Sequence, residues 1–278
     1  MNAPGSTQAV SSSGVRRTPG LAVTERRVTR SEFIKLRTVR SLVVGLTASA
    51  VAMVALGTIF SYVAKGVSDS GPPGTYGDSV TTSLGGMLLV QLVIAVLGVL
   101  SVGSEYTSGM IRATFAAVPW RTRVLRAKIV VFAASVFVLI GVAGVVAFFA
   151  GNAVYGGPSV ATYSLTDPGV LRALVGAGVY AAGVGVIGVA LGFILRSTAA
   201  AIGVVAALLL IAPLVVQLVP GSTGDWISKI LPSNAGGTMM EVTTKAGELS
   251  TWTGLAVFGA WLLAFVVAAA VVLRRRDV

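Results

Sequence analysis

The sequence predicts an all-α, polytopic membrane protein with six transmembrane helices, an N-terminal helix in the membrane interface and a further cytoplasmic helix between spans two and three. Three observations carry that prediction. Hydrophobic residues make up 55% of the 278 residues and charged residues only 11%, at a mean hydropathy of +0.88, whereas a soluble domain carries about 25% charge. Six continuous apolar runs each approach the roughly 20 residues that cross a hydrocarbon core as a helix. The cations fall almost entirely on one side of those runs.

From the N-terminus, residues 1–23 are rich in Ser, Gly, Thr and Ala, and residues 1–28 read as a disordered cytoplasmic tail. Residues 29–278 form the six-span domain. Arg16-Arg17 is the start of a twin-arginine pattern, but no apolar core follows before residue 41, so the first span is expected as an uncleaved anchor. Between tail and span lies TRSEFIKLRTVR, residues 29–40. As a helix it sets Phe33, Leu36 and Val39/Arg40 along one face, with Lys35 and Arg37 elsewhere and Ser31 placed to cap it. That suits a helix with its apolar side in lipid and its cations near anionic headgroups. A plain basic flank of the first span is the other reading.

The runs cover residues 41–63, 84–103, 129–150, 173–195, 199–219 and 254–273. They are continuous rather than alternating, which excludes barrel strands, and a helix is then the way to satisfy the backbone in hydrocarbon. An even span count puts both termini on one side. Residues 1–40, 104–128, 196–198 and 274–278 carry 17 of the 21 Lys and Arg and four of the ten acids. The basic side is expected to be cytoplasmic.

The connections are unequal. Residues 103–128, GSEYTSGMIRATFAAVPWRTRVLRAK, make a long cytoplasmic hairpin. Ile111, Phe115 and Val118 follow the spacing of an apolar helix stripe, which Gly109 starts and Pro119 ends. Glu105, at the membrane exit of span two, is expected to pair with Arg112 or Arg123, leaving the stripe free to dock into a partner's groove. A solvated loop with an interfacial helix is the alternative. The turn 196–198 is tight enough to make spans four and five antiparallel neighbours. In span four Ala173, Ala177, Ala181 and Gly185 recur every fourth residue, and Gly188 and Gly192 form GxxxG, so another helix can approach closely, within the chain or across a dimer seam. The segment 220–253 contains Trp226, Leu231-Pro232 and an amphipathic stretch over 238–249, and reads as a folded external cap or a re-entrant hairpin.

Several chemistries are excluded. The chain has no His and no Cys, which removes disulfides, thiol nucleophiles, His triads and the usual zinc sites. No Asp, Glu, Lys or Arg lies in the six runs, which argues against proton- or sodium-coupled carriers. The notable polar residues there are Gln91 and Gln217, which can hydrogen-bond a substrate or another helix. The five lysines precede Leu36, Gly66, Ile129, Ile230 and Ala246, so no P-loop lysine is present. If the protein moves a solute uphill, its ATPase is a separate chain. No catalytic residue, cofactor or metal is expected, and no nucleic-acid partner.

The order Glu105, Gly109, Ile111-Arg112, Pro119, Arg121 and Lys128, between spans two and three, resembles the permease subunits of type 2 ABC exporters. SEFIKLRTVRS resembles the opening of their actinobacterial members. The resemblance implies that Glu105, Tyr106, Gly109, Ile111, Arg112, Phe115 and Pro119 form a coupling helix and hinge against an ABC ATPase subunit. It implies that the helix bearing Phe33, Lys35, Leu36 and Arg37 is the family's interfacial helix. It further implies a second permease chain, identical or not, and a multi-pass place in the bacterial cell membrane. Trp120 departs from the basic or polar residue expected there. An ion-coupled secondary transporter and a non-transporting immunity or scaffold protein are the competing readings.

Overall fold

A bilayer core offers backbone groups no water, so each apolar run must close its hydrogen bonds internally. The computed structural model describes residues 24–68, 78–118, 120–155, 162–244 and 247–275, and no strand occurs among them. In chain order the helices are α1 (Glu25–Thr38), α2 (Arg40–Ser68), α3 (Ser79–Ser83), α4 (Met87–Thr107), α5 (Met110–Ala117), α6 (Arg121–Tyr155), α7 (Val170–Leu195), α8 (Thr198–Ala206), α9 (Ala212–Val216), α10 (Ser222–Ile230), α11 (Pro232–Gly237) and α12 (Thr251–Arg275). Six helical segments are long and apolar enough to cross a membrane: α2, α4, α6, α7, the α8–α9 segment and α12. The protein is therefore a multi-pass membrane protein.

Helices α2, α6, α7 and α12 outrun the apolar runs that predicted them. Helix α6 has 35 residues, about 50 Å at 1.5 Å per residue, against about 30 Å of hydrocarbon. Its first turns, with Arg121, Arg123, Arg126 and Lys128, project past the apolar zone.

Helix α7 is the central post, packed on α4, α6 and α12. Its small residues make this possible. Ala173, Ala177 and Ala181 are fully buried. A Cβ added to Gly188 would stand 2.1 Å from the Ala95 carbonyl oxygen, and one on Gly98 of α4 would stand 2.4 Å from that of Gly185. The small-residue face is thus consumed inside the chain, against α4, where close backbones gain dispersion contacts.

Arg196, between α7 and α8, has φ +52, alone among the described non-glycine residues. This left-handed residue reverses the chain within three residues and makes spans four and five neighbours, as the short turn predicts. Span five is not one regular helix. A π turn at Ala207–Ile211, closed by Ala212 N–H donating to the Ala207 carbonyl, separates α8 from α9, just before Pro213, which has no N–H to give.

At the end of the bundle that carries α1, the N-terminal helix begins at Glu25, so residues 25–28 are helical rather than part of a disordered tail; residues 1–23 lie outside the described residues. Ser31 does not cap it: its hydroxyl donates to the Val28 carbonyl at 2.7 Å, inside the helix. Val39 (φ −76, ψ 101) breaks the chain between α1 and α2.

At the opposite end, α10 and α11 form a helical hairpin. Trp261 of α12 donates to the Ile230 carbonyl at 2.8 Å, and Gly236 sits so close to Tyr180 that a Cβ would come within 2.3 Å of its ring. Among the described residues of the amphipathic stretch 238–249, only Thr238–Met240 forms a helical turn. The Arg172 guanidinium takes the next carbonyls, donating to Glu241 at 3.0 Å and Val242 at 2.8 Å, and also to the Thr251 hydroxyl. Those carbonyls are then not available to a continuing helix.

Candidate functional site

Three helix ends meet where α1 lies on the bundle. Helix α1 brings Glu32 and Lys35, the last turn of α4 brings Glu105, and the extended start of α6 brings Lys128. Lys35 Nζ lies 2.8 Å from Glu32 and 3.1 Å from Glu105; Lys128 Nζ lies 2.7 Å from Glu32 and 2.9 Å from Glu105. Lys128 also donates to the Ser101 carbonyl at 3.1 Å. The result is a closed square of alternating charge. Glu32 and Glu105 are each 3% exposed and Lys128 5%. Burying an ion costs several kcal/mol unless partners surround it, and here each carboxylate has two ammonium neighbours.

The ionisation of α1 follows. Burial pushes the Glu32 carboxyl up, but the Lys128 and Lys35 ammonium groups outweigh it and hold its pKa below the ordinary value. Burial pushes Lys35 down, but Glu32 and Glu105 outweigh it and hold the ammonium above the ordinary lysine value.

The square corrects two expectations. Glu105 pairs with Lys35 and Lys128, not with Arg112 or Arg123. Lys35 faces the bundle and is not a headgroup-facing cation. The opposite stripe of α1 carries Phe33 and Arg37, both exposed, with Leu36 half-buried beside them, so Arg37 shares a face with Phe33.

Helix α5 follows directly. Gly109 (φ +72) lets the chain turn out of α4, a conformation other residues adopt at a cost of about 1–2 kcal/mol. The apolar stripe is present, but it closes on its own chain. Ile111 is 2% exposed, and Val118 packs with Val28, Val124 and Ala127. Phe115 is half-buried, with the Arg121 guanidinium 5.7 Å from its ring centre. Glu105 and Ile111 are therefore buried within the chain, and the stripe packs on it rather than standing open as the sequence suggests. The outward face consists of Met110, Arg112, Ala113, Ala116 and Ala117. Pro119 lies outside the described residues. Tyr106 links this corner to α7: its ring meets Phe193 edge-on at 6.4 Å, and the Arg196 guanidinium lies 5.9 Å from its centre.

At the other end, a cavity of about 630 Å³ opens between α4, the α8–α9 span and the α10–α11 hairpin. Gln91 and Gln217 both line it. Gln91 makes the interhelical bond its position allows: the Tyr180 hydroxyl donates to its Oε1, while its Nε2 donates to the Leu88 carbonyl at 3.1 Å. Gln217 is exposed on the facing wall. The Ser233 hydroxyl, on the same cavity, is buried without a hydrogen-bond partner.

Sequence reasoning missed Glu32 and Tyr180 and gave Lys128 no role. The Glu32–Lys35 spacing (i, i+3) was the one local signal; the rest of the square joins residues such as Lys35 and Glu105, 70 positions apart.

No curated protein matches the chain. Residues 39–278 match the family described as protein of unknown function (DUF2705), a stretch that holds all six spans together with Glu105 and Lys128. The chain belongs to that DUF2705 family.

Proposed function

We propose that this protein is the membrane-spanning permease subunit of an ATP-driven ABC-type exporter, acting in the bacterial cell membrane with both termini cytoplasmic. It works with a separate ATPase subunit and a second permease chain. One observation carries the reading: α5 is a short helix held on a rigid corner of the bundle with one face left outside. Its inner face, through Ile111 and Val118, is committed to its own chain. Its root at Glu105 is fixed to α1 and α6 by the buried charges, and Tyr106 ties it to α7. A push on the outer face reaches four helices at once. The contact thus falls on Met110, Arg112, Ala113, Ala116 and Ala117. Buried Glu105 and Ile111 transmit the push from within the chain, and half-buried Tyr106 and exposed Gly109 form the hinge at the edge of the contact. The cavity bearing Gln91 and Gln217 is the candidate solute path.

The chain has no cysteine, so one introduced thiol is a unique label. In the native host, Ala113→Cys or Ala116→Cys is expected to cross-link to a subunit that hydrolyses ATP, and a thiol at buried Ile111 is not. If the purified chain alone, in liposomes, concentrates a solute on a proton or sodium gradient, the reading is wrong.

A further inference from the structure

The stripe of α1 that faces away from the charge square covers a second, larger groove. Arg26, Arg30, Phe33 and Arg37 recur at i, i+4, i+7 and i+11, which places them on one side of the helix. Beneath them, α2 and α6 supply an apolar floor, with Val43 and Leu46 from one and Val130, Ala134 and Val138 from the other; the groove holds about 1540 Å³. Small-molecule pockets usually run about 300–1,000 Å³, so this one suits a longer ligand. Its lining includes four arginines, Arg26, Arg27, Arg30 and Arg37, and no Asp or Glu. The acids of α1 are engaged elsewhere: Glu32 is locked in the square, and Glu25 pairs with Arg126 at 3.2 Å. A cationic roof over an apolar trough that continues along two membrane-spanning helices matches one chemistry, an anion joined to a long hydrocarbon chain.

We propose that this groove binds an anionic phospholipid of the surrounding leaflet, its phosphate under Arg30 and Arg37 and an acyl chain along Val43, Ala134 and Val138. The occupant holds α1 down from outside as the buried charges hold it from inside. A basic peptide segment is disfavoured by the arginines, and a phosphate without a chain leaves the floor uncovered. This does not depend on the transport reading.

The test uses the full-length protein in detergent, supplied with phosphatidylglycerol or phosphatidylcholine of matched chains, and counts retained lipid by native mass spectrometry. Wild type is expected to keep one phosphatidylglycerol in preference to phosphatidylcholine. At about fivefold per arginine, the R30Q/R37Q double variant should weaken that retention about 30-fold. Val138→Trp, at a floor position already 61% exposed, should reduce retention by filling the trough while leaving the fold intact. Equal retention of the two lipids by wild type overturns the proposal. So does unchanged retention in both variants, or displacement by glycerol phosphate alone. A change of oligomeric mass in R30Q/R37Q at constant lipid count would make the groove a protein interface and overturn it equally.

Discussion

Lys128→Met removes one corner of the buried square and leaves an isosteric apolar chain. Glu32 and Glu105 then face a single ammonium, Lys35, at 2.8 and 3.1 Å, and the cluster goes from neutral to one uncompensated negative charge. The Ser101 carbonyl loses its donor as well. Breaking a buried pair by removing one partner costs about 3–5 kcal/mol. For a domain of this size, at about 2–4 °C per kcal/mol, Tm should fall by about 6–20 °C. The informative comparison is the double variant Glu105→Gln/Lys128→Met. It restores neutrality, leaving only the Glu32–Lys35 pair inside α1, and should be more stable than Lys128→Met by about 2 kcal/mol or more. Arg126→Gln breaks the exposed pair with Glu25 and should cost less than about 1 kcal/mol. Thermal unfolding of all four proteins in one detergent measures this. If Lys128→Met behaves like Arg126→Gln, or if the second substitution only adds to the loss, the square is not a mutually compensated unit.

Three more outcomes follow from the same geometry. Because the Glu32 pKa is lowered from 4.5, its contribution to stability is present above that value and is lost as pH falls through the lower, folded-state pKa; because the Lys35 pKa is raised from 10.5, its contribution is present below that value and is lost as pH rises through the higher one. Tm should therefore be flat across neutral pH and fall at both extremes, and in Lys35→Met the alkaline loss due to this group should vanish. Gly188→Leu, at a site where even a Cβ would be 2.1 Å from a carbonyl oxygen, should prevent folding, whereas Gly203→Ala, with nothing within 4 Å, should be neutral or gain up to about 1 kcal/mol; yield of monodisperse protein and Tm report both. Arg172→Met frees the Glu241 and Val242 carbonyls, and limited proteolysis should cut the segment before α12 faster than in wild type while leaving the six spans protected.

The spans were legible because hydropathy accumulates residue by residue along a continuous run, and the Arg196 reversal because three residues leave no room for another path. The Ala173-Ala177-Ala181 face was legible as small, but whether it packs within the chain or across a dimer seam stayed open. The charged corner was not legible. Glu105 has arginines nearby in sequence, and only the folding of α1 onto α6 brings Lys35 and Lys128 nearer. The α5 stripe shows the same boundary: periodicity announced that Ile111, Phe115 and Val118 share a face, but what covers that face is a tertiary fact, and here Val28, Val124 and Ala127 cover Phe115 and Val118 while Ile111 enters the main core. Gln91 and Gln217 were visible as polar exceptions, and their convergence on one cavity needed the kinked geometry of span five.

That kink has a consequence of its own. A π turn accommodates one residue more than an α-helical register allows, so everything after Ala207–Ile211 is rotated by about 100° from where a straight helix would carry it. Gln217 is the one polar side chain that the fifth span offers to the cavity, and it lies beyond that turn. Excising a single residue at 207–211 would return the helix to phase, swing the amide off the cavity wall and leave a wholly apolar lining on that side. The azimuth of the distal half of the fifth span is therefore set by the one hydrogen-bonded ring at Ala207–Ile211.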